Sequence, residues 1–118
     1  MRILIVEDET LIALNLKMEI ENLGHTVCGT VASGENAIEF MRSQTVDVIL
    51  MDIRLSGAMD GVEAAAHIRR LNNIPIIFMT GYANKAEDDD VVKLNPLGLL
   101  IKPISLHKLQ NLLDSISR

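Results

Sequence analysis

Short apolar runs alternate with longer amphipathic stretches along this chain. Ile3-Leu4-Ile5-Val6 is the first run, and others follow at Thr26–Val31, 46–51, 74–79 and 97–101. The first, third and fourth are almost wholly apolar and rich in Ile, Val and Leu. Strands covered on both faces read this way, and such strands are usually parallel. The stretches between them carry helix punctuation. Ile12, Leu16, Ile20 and Leu23 share one side of a predicted helix over 10–23, and Gly24 follows as a stop. Ser33 is placed to cap a helix reaching about Arg42. Asp60 and Glu63 have capping-box spacing ahead of Ala64-Ala65-Ala66-His67-Ile68, with Asp where Ser or Thr is usual. A fourth helix is predicted from near Asn84 to about Leu94, stopped by Asn95-Pro96. Ser105 caps the last, whose stripe is Leu106, Leu109, Leu113 and Ile116. The expectation is an α/β fold, (βα)5: right-handed crossovers place helices on both faces of a five-stranded parallel sheet. Residues 1–118 are expected to form a single domain with no linker and no output domain.

Composition narrows the function classes. At 118 residues the chain is one domain, and 48% apolar against 23% charged residues excludes disorder. Lys plus Arg number 11 and Asp plus Glu 16, for a net charge of −5, and aromatics are 3%. That leaves neither the basic stripe nor the stacking platforms for direct nucleic-acid binding. A single cysteine, Cys28, excludes an internal disulfide framework and a multi-cysteine zinc site. No apolar run is long enough for a signal peptide or membrane insertion, so a cytoplasmic location is expected.

Open parallel sheets bind ligands at the carboxyl ends of their strands. Glu7, Asp8 and Glu9 follow the first run, Asp52 the third, Thr80 the fourth and Lys102 the fifth. Two carboxylates about 5 Å apart repel by roughly 3 kcal/mol at an effective dielectric of 20. A hard cation such as Mg2+, which prefers oxygen ligands, removes that repulsion. One carboxylate can then attack a phosphoryl donor while the metal, Lys102 and Thr80 attend the equatorial oxygens. Asp52 is the best acceptor because it ends an apolar central strand. Asp8 is the best direct metal ligand, and the longer Glu7 acts through water.

These residues carry a resemblance over essentially the whole chain. Glu7-Asp8 after the first run, Asp52 closing Val48-Ile49-Leu50-Met51, Thr80 in Phe78-Met79-Thr80-Gly81, and Lys102-Pro103 stand in one order and on matching elements. The sequence resembles the receiver domain of two-component response regulators, and in particular single-domain, chemotaxis-regulator-like receivers. The resemblance implies a flavodoxin-like sheet of order 2-1-3-4-5, the order with which such receivers are commonly illustrated. It implies that Asp52 accepts a phosphoryl group from a histidine kinase, with Mg2+ held by Asp8, Asp52 and the backbone carbonyl of Arg54. It also implies a cis peptide at Lys102-Pro103. Such a protein is a phospho-acceptor that assists its own phosphorylation and dephosphorylation, not an enzyme. Its partners would be the kinase and a downstream effector, a histidine phosphotransfer protein or a second copy of itself. A phosphoryl shuttle or sink, and a receiver fragment of a hybrid kinase or larger regulator, are the alternatives kept.

The chain departs from the family pattern in places. Leu99 stands where an aromatic residue is usual, three positions before Lys102. The loop from Asp52 to Gly61 has Ser56 at the usual proline position and one extra residue. Arg54 and Tyr82, two positions beyond Asp52 and Thr80, flank the expected path of an attacking water, so Arg54→Asn or Tyr82→Glu should alter the phosphoryl lifetime. A Mg2+-dependent phosphohydrolase would need an acid at position 54, which is Arg54. A flavin or nucleotide site would need a Gly-rich or hydroxyl-rich first loop, where this chain has three acids. Glu9 reads as a helix start, Asp47 as a turn residue and Asp60 as a cap. The run Asp88-Asp89-Asp90 reads as a solvated helix face, with an acidic patch toward a partner as the other reading. His25, His67 and His107 read as surface residues, Cys28 as a small buried strand residue, and most of the methionines as core filling.

Overall fold

The computed structural model describes residues 1–116. Five strands form one parallel sheet: β1 (Arg2–Val6), β2 (Thr26–Val31), β3 (Val48–Asp52), β4 (Ile76–Thr80) and β5 (Gly98–Ile101). Their order is β2-β1-β3-β4-β5, the flavodoxin-like arrangement. Helices α1 (Thr10–Asn22), α2 (Gly34–Ser43), α3 (Gly61–Leu71), α4 (Asp89–Lys93) and α5 (Leu106–Ile116) follow the strands in turn.

Alternation along the central strands divides the core in two. Leu4, Val6, Ile49, Met51 and Phe78 point to one face and pack against Ala37 of α2 and Ala64, Ala65 and Ile68 of α3. Ile3, Ile5, Val48, Leu50, Ile77 and Met79 point to the other, against Leu16 and Ile20 of α1 and Leu109 and Leu113 of α5. Every residue of β3 and β4 is buried, which is why those runs lack polar alternation.

The caps form where the sequence places them. Ser33 accepts from the Asn36 N–H at 3.1 Å, and Ser105 from the Lys108 N–H at 3.3 Å. At α3 the capping box closes: Asp60 accepts from the Glu63 N–H at 2.8 Å while Glu63 accepts from the Asp60 N–H at 3.2 Å. Gly24 ends α1 with φ of +95°, a conformation glycine tolerates without strain. The Lys102-Pro103 peptide is cis.

Four details differ from the sequence reading. The fourth helix does not run from Asn84 to Leu94. A 3₁₀ helix over Ala83–Glu87 gives way to a five-residue α4. Asp88 breaks the stretch: its backbone is extended, and its carboxylate caps α4 by accepting from the Asp90 N–H at 3.0 Å. An aspartate that can bond a backbone two residues on competes with helix propagation. Leu23 is the C-terminal cap of α1 and exposed, so Ala13 takes its place among the buried positions of that helix. Cys28 is only partly buried, at a register shift between β1 and β2, with its thiol 3.4 Å from the Ile3 carbonyl oxygen. His25 is half-buried against α5, its Nε2 3.1 Å from Gln110 Oε1, whereas His67 and His107 are exposed.

Candidate functional site

The carboxyl ends of β1, β3, β4 and β5 converge because parallel strands all end at the same edge. Glu7 follows β1 and is tied to β2 by its N–H, which donates to the Val31 carbonyl at 3.0 Å. Asp52 is the last residue of β3, and Thr80 the last of β4. Lys102 follows β5, and its N–H donates to the Thr80 carbonyl at 2.7 Å. Among the described residues, Glu7, Asp52 and Thr80 are the buried polar ones.

The side chains meet accordingly. Lys102 Nζ donates to Asp52 Oδ2 at 2.8 Å and to Glu7 Oε1 at 3.0 Å. The other Asp52 oxygen, Oδ1, accepts from the Arg54 N–H at 3.0 Å. Thr80 Oγ1 accepts from the Tyr82 N–H at 3.1 Å. Glu7, Asp8 and Asp52 each offer an oxygen, all within 4.8 Å of one another. Glu9 is exposed and outside this group.

Electrostatics follow from burial. Glu7 is pushed up to about 8 from an ordinary 4.5, first by burial and then by the neighbouring Asp52 carboxylate; Lys102 only partly offsets this. Burial on its own would lower the Lys102 ammonium, but its bonds to Asp52 and Glu7 hold it above the usual lysine value. Asp8 is lowered, chiefly by its hydrogen bond from Ser56.

The residues suit a hard cation. The donor set is oxygen only, and Glu7 Oε2 is buried without a hydrogen-bond partner. An orphaned buried carboxylate oxygen is costly unless something electropositive meets it.

A family model described as the response regulator receiver domain matches residues 3–114. The chain belongs to that family. It is a receiver domain of the two-component response regulators. Among curated relatives, the transcriptional regulatory protein AfsQ1 of Streptomyces coelicolor is 38% identical over 90 residues, which is 76% of this chain and 38% of the relative. The chain spans less than half the length of the curated relatives it matches. Among solved structures, the signal receiver domain of a modulated diguanylate cyclase from Desulfovibrio desulfuricans is similar, with a TM-score of 0.89 and 36% identity. The match covers 98% of this chain and 91% of that one. The response regulator TrrA from Thermotoga maritima, solved in complex with Mg2+-BeF, has a TM-score of 0.88 and 28% identity, covering 98% and 97%.

In this receiver domain, all the strand-end residues singled out in the sequence lie at one edge of the sheet. Two relationships were not visible there. The Arg54 guanidinium lies over the Tyr82 ring, 4.7 Å from its centroid, a cation–π contact that joins the loops after β3 and β4. Ser56 reaches back to Asp8 through its N–H at 3.1 Å and through its hydroxyl. The available signal for Ser56 was its place in the loop. It supplies two donors at a position where the family pattern has proline, which has none.

Proposed function

We propose that Asp52 is the phospho-acceptor of this receiver domain and that Thr80 and Lys102 assist it. The supporting observation is the Lys102 ammonium, which bridges Asp52 and Glu7 with Asp8 alongside. An Asp52 oxygen attacks the phosphorus of a phosphohistidine on a histidine kinase. The new O–P bond forms as the P–N bond breaks, and the imidazole nitrogen leaves with the electron pair. Lys102 then moves with its charge toward the transferred oxygens, and the Thr80 hydroxyl donates to one of them. Asp8, Asp52 and the Arg54 backbone carbonyl would hold Mg2+, with Glu7 through water. When bound, the cation supplies positive charge between the carboxylates and the phosphoryl group. Arg54 and Tyr82 stack over the approach of a hydrolytic water, so the pair governs how long the phosphoryl group survives.

The switch acts through protein contacts, with residues 1–118 working as one receiver unit. α4 is the element suited to move: it is five residues long and Val91 is its buried side chain. Phosphorylation draws Thr80 inward and biases the α4 region between two arrangements. Downstream, an effector, a histidine phosphotransfer protein or a second copy of the chain reads the change. A soluble cytoplasmic setting fits, since among the described residues no helix is long and apolar enough to cross a membrane.

Incubation with acetyl phosphate and Mg2+, followed by intact mass, tests the reading. The wild type gains one phosphoryl group and Asp52→Asn gains none. An unmodified wild type, or a modified Asp52→Asn, overturns it.

A further inference from the structure

Asp8 is held from a distant part of the chain. Ser56, in the loop between β3 and α3, directs both its N–H and its hydroxyl to one Asp8 oxygen, Oδ2. The loop is itself braced. Gly57 turns it with φ of +103°, and the Gly61 N–H at its far end donates to the Ile53 carbonyl at 2.9 Å. Asp8, Arg54 and Ser56 wall a shallow depression of about 500 Å³ at this edge of the sheet.

Two donors on one oxygen alter how the carboxylate can meet a cation. Ca2+ takes 6–8 oxygens and accepts bidentate carboxylates, whereas Mg2+ demands a compact octahedron and keeps several waters. A bidentate Asp8 needs Oδ2 as well and must surrender at least one Ser56 bond, whereas an Asp8 that ligates through Oδ1 alone keeps both. We propose that Ser56 is a specificity-determining positioning residue, which confines Asp8 to single-oxygen ligation and so tilts the acidic pocket toward Mg2+ and away from Ca2+. This rests on the reading that Glu7, Asp8 and Asp52 hold a divalent cation. Ser56 acts through Asp8, as outer partners of metal ligands do.

Calorimetric titration of the full chain with Mg2+ and, separately, Ca2+ tests this on wild type, Ser56→Ala, Ser56→Pro and Ser56→Thr. In the wild type Mg2+ binds more tightly. Ser56→Ala narrows the preference by roughly tenfold, the lower end of what outer-partner changes do to metal sites. Ser56→Pro, lacking both donors, narrows it further, and Ser56→Thr restores it. If Ser56→Pro fails to fold, the alanine and threonine variants carry the comparison. An unchanged Mg2+ to Ca2+ ratio across the folded variants, with Mg2+ still bound, overturns the role of Ser56 and leaves the metal site standing. A wild type that binds neither cation overturns both, and acetyl phosphate labelling then reports separately on Asp52.

Discussion

Glu7 sits at the end of β1 with its side chain sealed from solvent, one oxygen on Lys102 and the other without a partner. Burial and the neighbouring Asp52 lift it to about 8 from 4.5. The unfolded chain gives up this proton near 4.5, whereas the folded chain keeps it until about 8. Folding therefore takes up a proton across that window, and stability falls as pH rises through it. With EDTA present, urea midpoints of the wild type should decline between pH 5 and 8, a window set by the Glu7 shift. Glu7→Gln, neutral throughout, should flatten that decline. Parallel slopes for the two proteins would remove Glu7 as the source. The residue types at the pocket were legible in the sequence, since Glu7, Asp52, Thr80 and Lys102 directly follow apolar runs and Asp8 comes next to Glu7. The raised Glu7 was not. It depends on desolvation and on Asp52, 45 residues away along the chain, so no local window contains it.

At the scale of elements, α3 shows what a short motif can and cannot reveal. Its capping box is spelled by Asp60 and Glu63, because the two side chains and two N–H groups lie within one turn. The constraint on Gly61 is hidden. A Cβ there would come within 1.9 Å of the Asp52 carbonyl oxygen. The first turn of α3 thus presses on the backbone that presents Asp52. Gly61→Ala should destabilise by about 2 kcal/mol or more, because backbone atoms must shift. Asp60→Ala, a lost cap, should cost only about 1 kcal/mol. Chemical denaturation of the two variants checks the ranking, and a Gly61→Ala loss no larger than that of Asp60→Ala would contradict it. The fourth helix departs from the sequence expectation for a local reason. Residues 84–94 have acceptable helix propensity, but Asp88 uses its carboxylate as a cap. The end of α4 is held by Arg69 of α3, which donates to the carbonyls of Leu94 at 2.6 Å and Ile74 at 3.1 Å.

The whole molecule shares one sheet between two cores. Leu4 and Ile5 are adjacent on β1 and fully buried, yet they belong to opposite cores. Leu4→Ala and Ile5→Ala should each cost about 2–5 kcal/mol. Because β1 lies between β2 and β3, neither core can open without disturbing the sheet that supports the other. Each variant should therefore unfold in a single transition, with fluorescence of Tyr82 and far-ultraviolet circular dichroism coincident. Separate transitions would show that the two faces are independent.

By itself the sequence determined the alternation of strands and helices, most of the caps, the parallel character of the buried strands and the set of polar residues that terminate them. All of these are local, carried by periodicity and by side chains that bond backbone within a turn. Tertiary structure decided which of those ends are neighbours: Lys102 between Glu7 and Asp52, Arg54 over Tyr82, and Ser56 on Asp8. It also decided that burial and Asp52 push Glu7 above the usual carboxylate range. Those outcomes depend on strand order and on exclusion of water. Both arise only when segments remote along the chain close on one another.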